Sequence, residues 1–218
     1  MKVVGFAGQM QNGKDTAADY LFEKIKHKWG DVERASFADN VKRIFCETFN
    51  VDRSFVEEWK TKSEIPEGFD SPVRQGLQQI GDGFRKIQGK IWIELAFRDR
   101  ANPAIFSDVR YINELKKIKE VGGTTVLVWR PGHENNDPNG SEAQIKPLVD
   151  WFVTQRPAFF NMKAIKLRTR LRLWIWRAVR TFRRLPPPSG VEYVDHFLVN
   201  DGSIEDLYRK VDDIVLSL

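Results

Sequence analysis

Residues Gly8-Gln9-Met10-Gln11-Asn12-Gly13-Lys14-Asp15-Thr16 have the types and spacing that point most directly to chemistry. Two glycines five positions apart, the second followed by lysine, suit a loop that curls around a phosphate. Glycine lets the main chain turn so that successive N–H groups, from Gly8 through Gln11, Asn12 and Gly13, point at one anion. A helix beginning at Lys14 adds unpaired amides and the positive end of its dipole. Lys14 would reach the outer phosphates of a triphosphate. The usual residue after that lysine is Ser or Thr, whose hydroxyl meets Mg²⁺; here Asp15 stands there and Thr16 follows, so either would approach the metal. The alternative reading is a strand, turn and helix that match by accident. The flanks favour the phosphate: an apolar run, Val3 to Ala7, precedes the loop, and Ala17, Ala18, Leu21, Phe22 and Ile25 recur behind it at helical spacing.

A second constellation is Asp108-Val109-Arg110, with Glu114 four residues on. In an open α/β sheet, ligands sit beyond the carboxyl ends of the strands, where this pair is expected. Asp108 could hold Mg²⁺ or an acceptor, and Arg110 could clamp a phosphate with its planar fork of donors. Arg110 and Glu114 could equally form a surface pair one helical turn apart. Arg130, just before Pro131 and Gly132, closes an apolar run and is a third phosphate candidate.

The elements that must position these residues follow from periodicity. Strands are predicted over Lys2 to Ala7, Glu33 to Phe37, Ala104 to Ser107 (with Asp108 emerging into a loop), Thr124 to Trp129 and Val194 to Val199. Helices are predicted from Lys14, over Asp39 to Phe49, over Asn113 to Val121 with Gly122 and Gly123 as their stop, and over Ile204 to Leu216. Ser54 to Arg100 reads as mostly helical, and Pro131 to Gly140 as loop. Strands alternating with helices predict a three-layer α/β/α fold around a central parallel sheet. One domain over 1–218 is expected, with a helical insertion at 50–100 and a basic insert at 143–190.

The 218 residues carry a net charge of +5, 41% hydrophobic and 30% charged residues, which suits one α/β domain with a real core. The charge is uneven. Trp151 to Val191 contains no acid and ten Lys or Arg, so the rest of the chain carries −5. No apolar run approaches the roughly 18 residues of a membrane-spanning helix, and the N-terminal apolar run has no cleavage site. Lone Cys46 excludes an intramolecular disulfide, reads as a buried helical residue and fits a reducing cytoplasm. Between Lys163 and Leu185, Leu167, Leu171, Trp174, Ile175, Ala178 and Phe182 form an apolar stripe opposite Lys166, Arg170, Arg177, Arg180 and Arg184. Such a helix (about 160–186) could dock on the core or a dimer mate, cap the site as a lid, lie on an anionic membrane or grip nucleic acid.

With these residues in place, the chain resembles the bacteriophage deoxynucleoside monophosphate kinases, a branch of the P-loop nucleoside monophosphate kinases. Gly13-Lys14-Asp15-Thr16 with Ala18-Asp19 is similar to that family's loop, unusual aspartate included. The resemblance continues through Ser36-Phe37-Ala38 to Lys42, Arg74 through Asp82, Trp92, Asp108 to Glu114, Val128 to Gly132, Ser141-Glu142 and Val199 to Ser203. It implies a kinase moving the γ-phosphate of ATP, with Mg²⁺, to a deoxynucleoside monophosphate in a host cytoplasm. Lys42 would face the substrate and Arg74 grip its 5′-phosphate. Gln78, Gly81, Asp82 and Trp92 would lie near sugar and base, while Asp108, Arg110, Glu114 and Ser141 complete the substrate side and Asn200 lies by the adenine. A dephospho-coenzyme A or phosphomevalonate type of acceptor, and a nucleotide-binding interaction protein, are the alternatives. Residues 50–70 match poorly, and about fifty residues separate Ser141-Glu142 from the last strand, where the family has almost none.

Overall fold

The computed structural model describes residues 2–98, 100, 102–133, 140–155 and 186–218. The basic amphipathic stretch lies outside the described residues. In chain order the elements are β1 (Val3–Ala7), α1 (Lys14–Trp29), β2 (Glu33–Ala35), α2 (Asp39–Phe49), α3 (Arg53–Trp59), α4 (Val73–Ile87), α5 (Ile91–Phe97), β3 (Ala104–Val109), α6 (Ile112–Glu120), β4 (Thr124–Trp129), α7 (Gly140–Gln155), β5 (His196–Val199) and α8 (Ile204–Val215). They fall into two compact units, one made of Met1–Arg34 with Ala101–Leu218, the other of Ala35–Arg100.

The sheet has the order β2-β3-β1-β4-β5, and β1 pairs in parallel with both β3 and β4, as β4 does with β5. Central β1 is buried at every position, which requires helices on both faces. Period-two alternation divides the work. Val4 and Phe6 point to a core shared with Ala17, Leu21 and Ile25 of α1 and Leu207, Val211 and Ile214 of α8. The two helices are tied by stacked Tyr20 and Tyr208 rings, 4.0 Å apart, and by the Tyr20 hydroxyl donating to Asp212 at 3.0 Å. The opposite face carries α6, whose Ile118 Cδ1 lies 2.3 Å from where a Cβ on Gly5 would stand, so Gly5 admits that helix. This is the three-layer α/β/α arrangement that the sequence predicted.

Several boundaries differ from the sequence-based expectation. β3 runs on through Asp108 and Val109, because a register shift opposite β1 lets the strand bulge and continue. β2 stops at Ala35, since the Ser36 and Asp39 side chains take the next main-chain N–H groups into a turn: Ala38 N donates to Ser36 Oγ and Ser36 N to Asp39 Oδ2, both at 3.0 Å. β5 starts at His196, after a 3₁₀ turn over Val191–Tyr193. Helix α7 occupies a region read as loop followed by insert; Pro147 lies inside it, a residue that argues against helix in sequence. Burial of Ile145, Leu148, Val149 and Val153 overrides that local preference. Cys46 is only half-buried. Among the described residues no helix is long and apolar enough to cross a membrane.

The unit of Ala35–Arg100 contains α2 to α5, with a non-helical stretch between α3 and α4. Phe45, Val56 and Val73 are its buried centre, and rings of Phe49, Phe55 and Phe69 pack around Phe45 at 4.6–5.9 Å or around each other. Gly76 lets Phe45 approach α4, since a Cβ there would lie 2.9 Å from the ring. A cavity of about 250 Å³ lies beside these rings, bounded by Phe49, Phe69, Val73 and Ile80.

On the first unit, Asp195 clips β5 to its neighbours. It accepts from Lys119 Nζ at 2.6 Å and from Thr125 N at 2.9 Å. Burial raises its pKa, but these donors outweigh burial and hold the carboxyl below its ordinary value. A lowered folded-state pKa means the clip stabilises above the ordinary carboxylate range and is lost as pH falls through the lowered value. Asp195→Ala is expected to cost about 2 kcal/mol at pH 7, with a smaller difference from the parent chain near pH 3. Urea unfolding at the two pH values checks this.

Candidate active site

The loop between β1 and α1 is shaped by backbone angles that few residues tolerate. Gly8 and Gly13 have φ of 145° and 90°, and Gln11 sits at 63° in the left-handed region. A Cβ on Gly8 would stand 2.3 Å from the Val128 carbonyl oxygen, and one on Gly13 would stand 2.5 Å from Asn200 Nδ2. Gly13 is the N-cap of α1 and offers no side-chain acceptor to the first-turn amides. Those amides meet the positive end of the helix dipole. Lys14 is 7% exposed, and its Nζ donates to the Gln9 carbonyl at 2.6 Å. A lysine folded back this way keeps its charge inside the loop. Asn12 is fully buried, donating Nδ2 to Val128 O at 3.3 Å, while its Oδ1 has no hydrogen-bond partner.

Because β1, β3, β4 and β5 run parallel, their carboxyl ends share one edge of the sheet. Gly8 leaves β1 there, Arg110 follows β3, Arg130 follows β4 and Asn200 follows β5. Asp108 falls in the bulged end of β3, half-buried, and Arg130 is exposed. Asn200 is fixed twice, its N–H donating to Trp129 O at 2.7 Å and its Nδ2 to Asn12 O at 3.1 Å. Glu114, read as a partner on the surface or near substrate, is instead 3% exposed. Its Oε2 accepts from the Arg110 and Tyr111 N–H groups at 2.7 and 3.1 Å, so it caps the start of α6 and fixes the chain at Arg110. Ser141 lies in the first turn of α7.

The remaining candidates belong to the Ala35–Arg100 unit. Arg74, Gln78 and Asp82 recur at four-residue spacing along α4, a single stripe, with Asp82 ion-paired to Arg85 at 3.2 Å. Lys42 on α2 donates to Glu57 at 2.6 Å. Glu57 also accepts from Arg53 at 2.9 Å and from Lys60. Burial raises the pKa of Glu57, yet the donors Lys42, Lys60 and Arg53 together bring it down to about 2. Trp92 is not placed to meet a base: it is 2% exposed, and its indole N–H donates to the Gly81 carbonyl at 2.9 Å, fastening α5 to α4. Gly81 is itself buried in that joint.

The described residues contain no group of three or more His, Cys, Asp or Glu side chains that could cage a metal. Exposed Asp15 and half-buried Thr16, in the first turn of α1, fit a Mg²⁺ that arrives on phosphate oxygens and keeps most of its water.

The chain is 30% identical over 170 residues, 69% of its length and 86% of the relative's, to a "Putative deoxynucleotide monophosphate kinase" of Acanthamoeba polyphaga mimivirus. The chain belongs to this kinase family. A further relative of the kinase, 25% identical over 151 residues or 63% of this chain, is "Uncharacterized protein ORF76" of Ictalurid herpesvirus 1 (strain Auburn), of which the chain spans about half (54%). No family model matches. Among solved structures, a dephospho-CoA kinase from Campylobacter jejuni aligns at 13% identity and TM-score 0.38, covering 99% of this chain and 96% of that one. A shikimate kinase from Acinetobacter baumannii aligns at 15% identity and TM-score 0.42, covering 99% and 93%. Likenesses this distant add nothing to what sheet order and loop already establish.

The loop's supports escaped the sequence reading. The carbonyls of Gln9 and Val128 hold Lys14 and Asn12, and main-chain oxygens carry no residue-type signal. The cluster around Glu57 was equally hidden, since its members come from two helices and a turn. The Trp92 joint generates a stability expectation: Trp92→Ala should destabilise by about 3–5 kcal/mol, and Trp92→Phe, which loses the bond to Gly81, by about 1 kcal/mol. Denaturant unfolding of both variants measures it.

Proposed function

We propose that this P-loop kinase transfers the γ-phosphate of ATP to a deoxynucleoside monophosphate, yielding ADP and a deoxynucleoside diphosphate. The observation that carries the reading is the buried Lys14 folded into an amide-rich loop, in a chain whose viral relative bears that activity in its name. An oxygen of the acceptor's 5′-phosphate forms a bond to the γ-phosphorus as the bond to the β–γ bridging oxygen breaks. ADP keeps the bridging electron pair. The nucleophile is already anionic, so positioning and charge neutralisation suffice.

The loop amides from Gly8 to Thr16 hold the triphosphate, and Lys14 leaves the Gln9 carbonyl for a phosphate oxygen. Mg²⁺, held with Asp15 or Thr16, supplies further charge neutralisation at the transferred group. Arg130 and Arg110 offset charge on the moving phosphoryl, and Asp108 organises metal or acceptor. On the acceptor side, Arg74 grips the 5′-phosphate while Gln78 and Asp82, on the same stripe of α4, face sugar and base. Lys42 supplies a second cation to the acceptor, exchanging Glu57 for phosphate. A substrate role for Ser141 remains an expectation from the family resemblance. A viral source and a host-cytoplasmic location belong to this proposal, supported by the viral sources of both relatives; the phage setting stays an expectation from sequence. The homodimer, and the contact of the 160–186 stretch with core, membrane or nucleic acid, remain expectations from sequence.

ADP release from ATP against a panel of deoxynucleoside and ribonucleoside monophosphates tests the reading; release with none of them accepted overturns it. Lys14→Met is expected to lower turnover about 100- to 1,000-fold without changing the circular-dichroism spectrum. Arg74→Ala is expected to raise KM for the monophosphate about 10- to 100-fold while KM for ATP stays near the parent value, measured by initial rates with each substrate varied.

A further inference from the structure

Asn200 was expected beside the adenine of ATP, yet its side chain is committed elsewhere. Its Nδ2 donates to the Asn12 carbonyl at 3.1 Å and stands 2.5 Å from where a Cβ on Gly13 would be. Its own N–H extends the sheet ladder to Trp129 O at 2.7 Å, so the amide group is carried by the rigid end of β5. Across a trans peptide the carbonyl of one residue and the N–H of the next point in opposite directions. Holding the Asn12 carbonyl toward Asn200 therefore turns the Gly13 N–H away from β5. That N–H is the last donor of the loop before α1 begins.

We infer that Asn200 is a positioning residue for the phosphates: it acts through the Asn12–Gly13 peptide plane, aiming the Gly13 N–H into the phosphate site, and does not act by recognising the base. The inference rests on the kinase reading and names a residue role beyond it. Two further features agree. Asn12 is also anchored from its side chain, by Nδ2 to Val128 O at 3.3 Å, so that both ends of the residue are held by neighbouring strand ends. Gly13 is the residue type the close approach of the Asn200 amide demands, and its φ of 90° is the angle that glycine tolerates.

A ligand without a base distinguishes the two roles. Calorimetry on the full chain compares Mg²⁺-ATP with Mg²⁺-tripolyphosphate for the parent, Asn200→Ala and Asn200→Asp. The aspartate is isosteric and presents acceptors only, so it removes the donor without opening a cavity and carries the test if the alanine variant does not fold. The expected result is a parallel loss of about tenfold for both ligands in each folded variant. Loss confined to ATP, with tripolyphosphate binding intact, overturns the inference and returns Asn200 to the base. Unchanged affinity for both ligands overturns it as well. A parent chain that binds neither ligand sinks the kinase reading itself, and the inference falls with it.

Discussion

Everything in the first unit depends on bending a main-chain loop so that its N–H groups converge on one point while its carbonyls are satisfied elsewhere. Each N–H turned toward a ligand leaves a carbonyl turned the other way, and a buried carbonyl without a donor is costly. The structure resolves this with one donor from the motif itself and one from the end of β5. Gln9 O receives Lys14 Nζ, and Asn12 O receives Asn200 Nδ2. Asn200 follows β5, and Asn12 Nδ2 donates to Val128 O near the end of β4, so the sheet is the template on which the loop is bent.

The same constraint explains where small residues and bulges fall. Gly8 is pressed against Val128 O and Gly13 against Asn200, so a side chain at either position would push the loop away from the sheet edge. On the neighbouring strand, the bulge at Ser107 and Asp108 re-aims the end of β3, and the buried Glu114 carboxylate holds the chain as it leaves through Arg110. A charged side chain serves here as a structural cap. Its burial is tolerable because two main-chain donors meet it.

The second unit solves a different problem. Three of its helices, α2, α3 and α4, share a small aromatic centre, and Glu57 gathers three cations. Burial works against the charged form, and these cations still bring the Glu57 carboxyl down to about 2.

Composition and spacing alone determined the sheet-and-helix alternation, the phosphate loop and the extents of α2 and β4, because glycine freedom, apolar periodicity and helix stops are local properties of a few neighbouring residues. Arg74, Gln78 and Asp82 were named only through the family resemblance; their alignment as one stripe came with α4. Tertiary structure decided what Glu114, Trp92 and Asn200 are bonded to, and that α7 forms across Pro147. Each of those outcomes turns on partners far away in the chain, Asn12 and Asn200 being 188 residues apart, or on burial against another element. A polar side chain looks the same in sequence whether it meets a ligand or a main-chain carbonyl, and only the folded arrangement distinguishes the two.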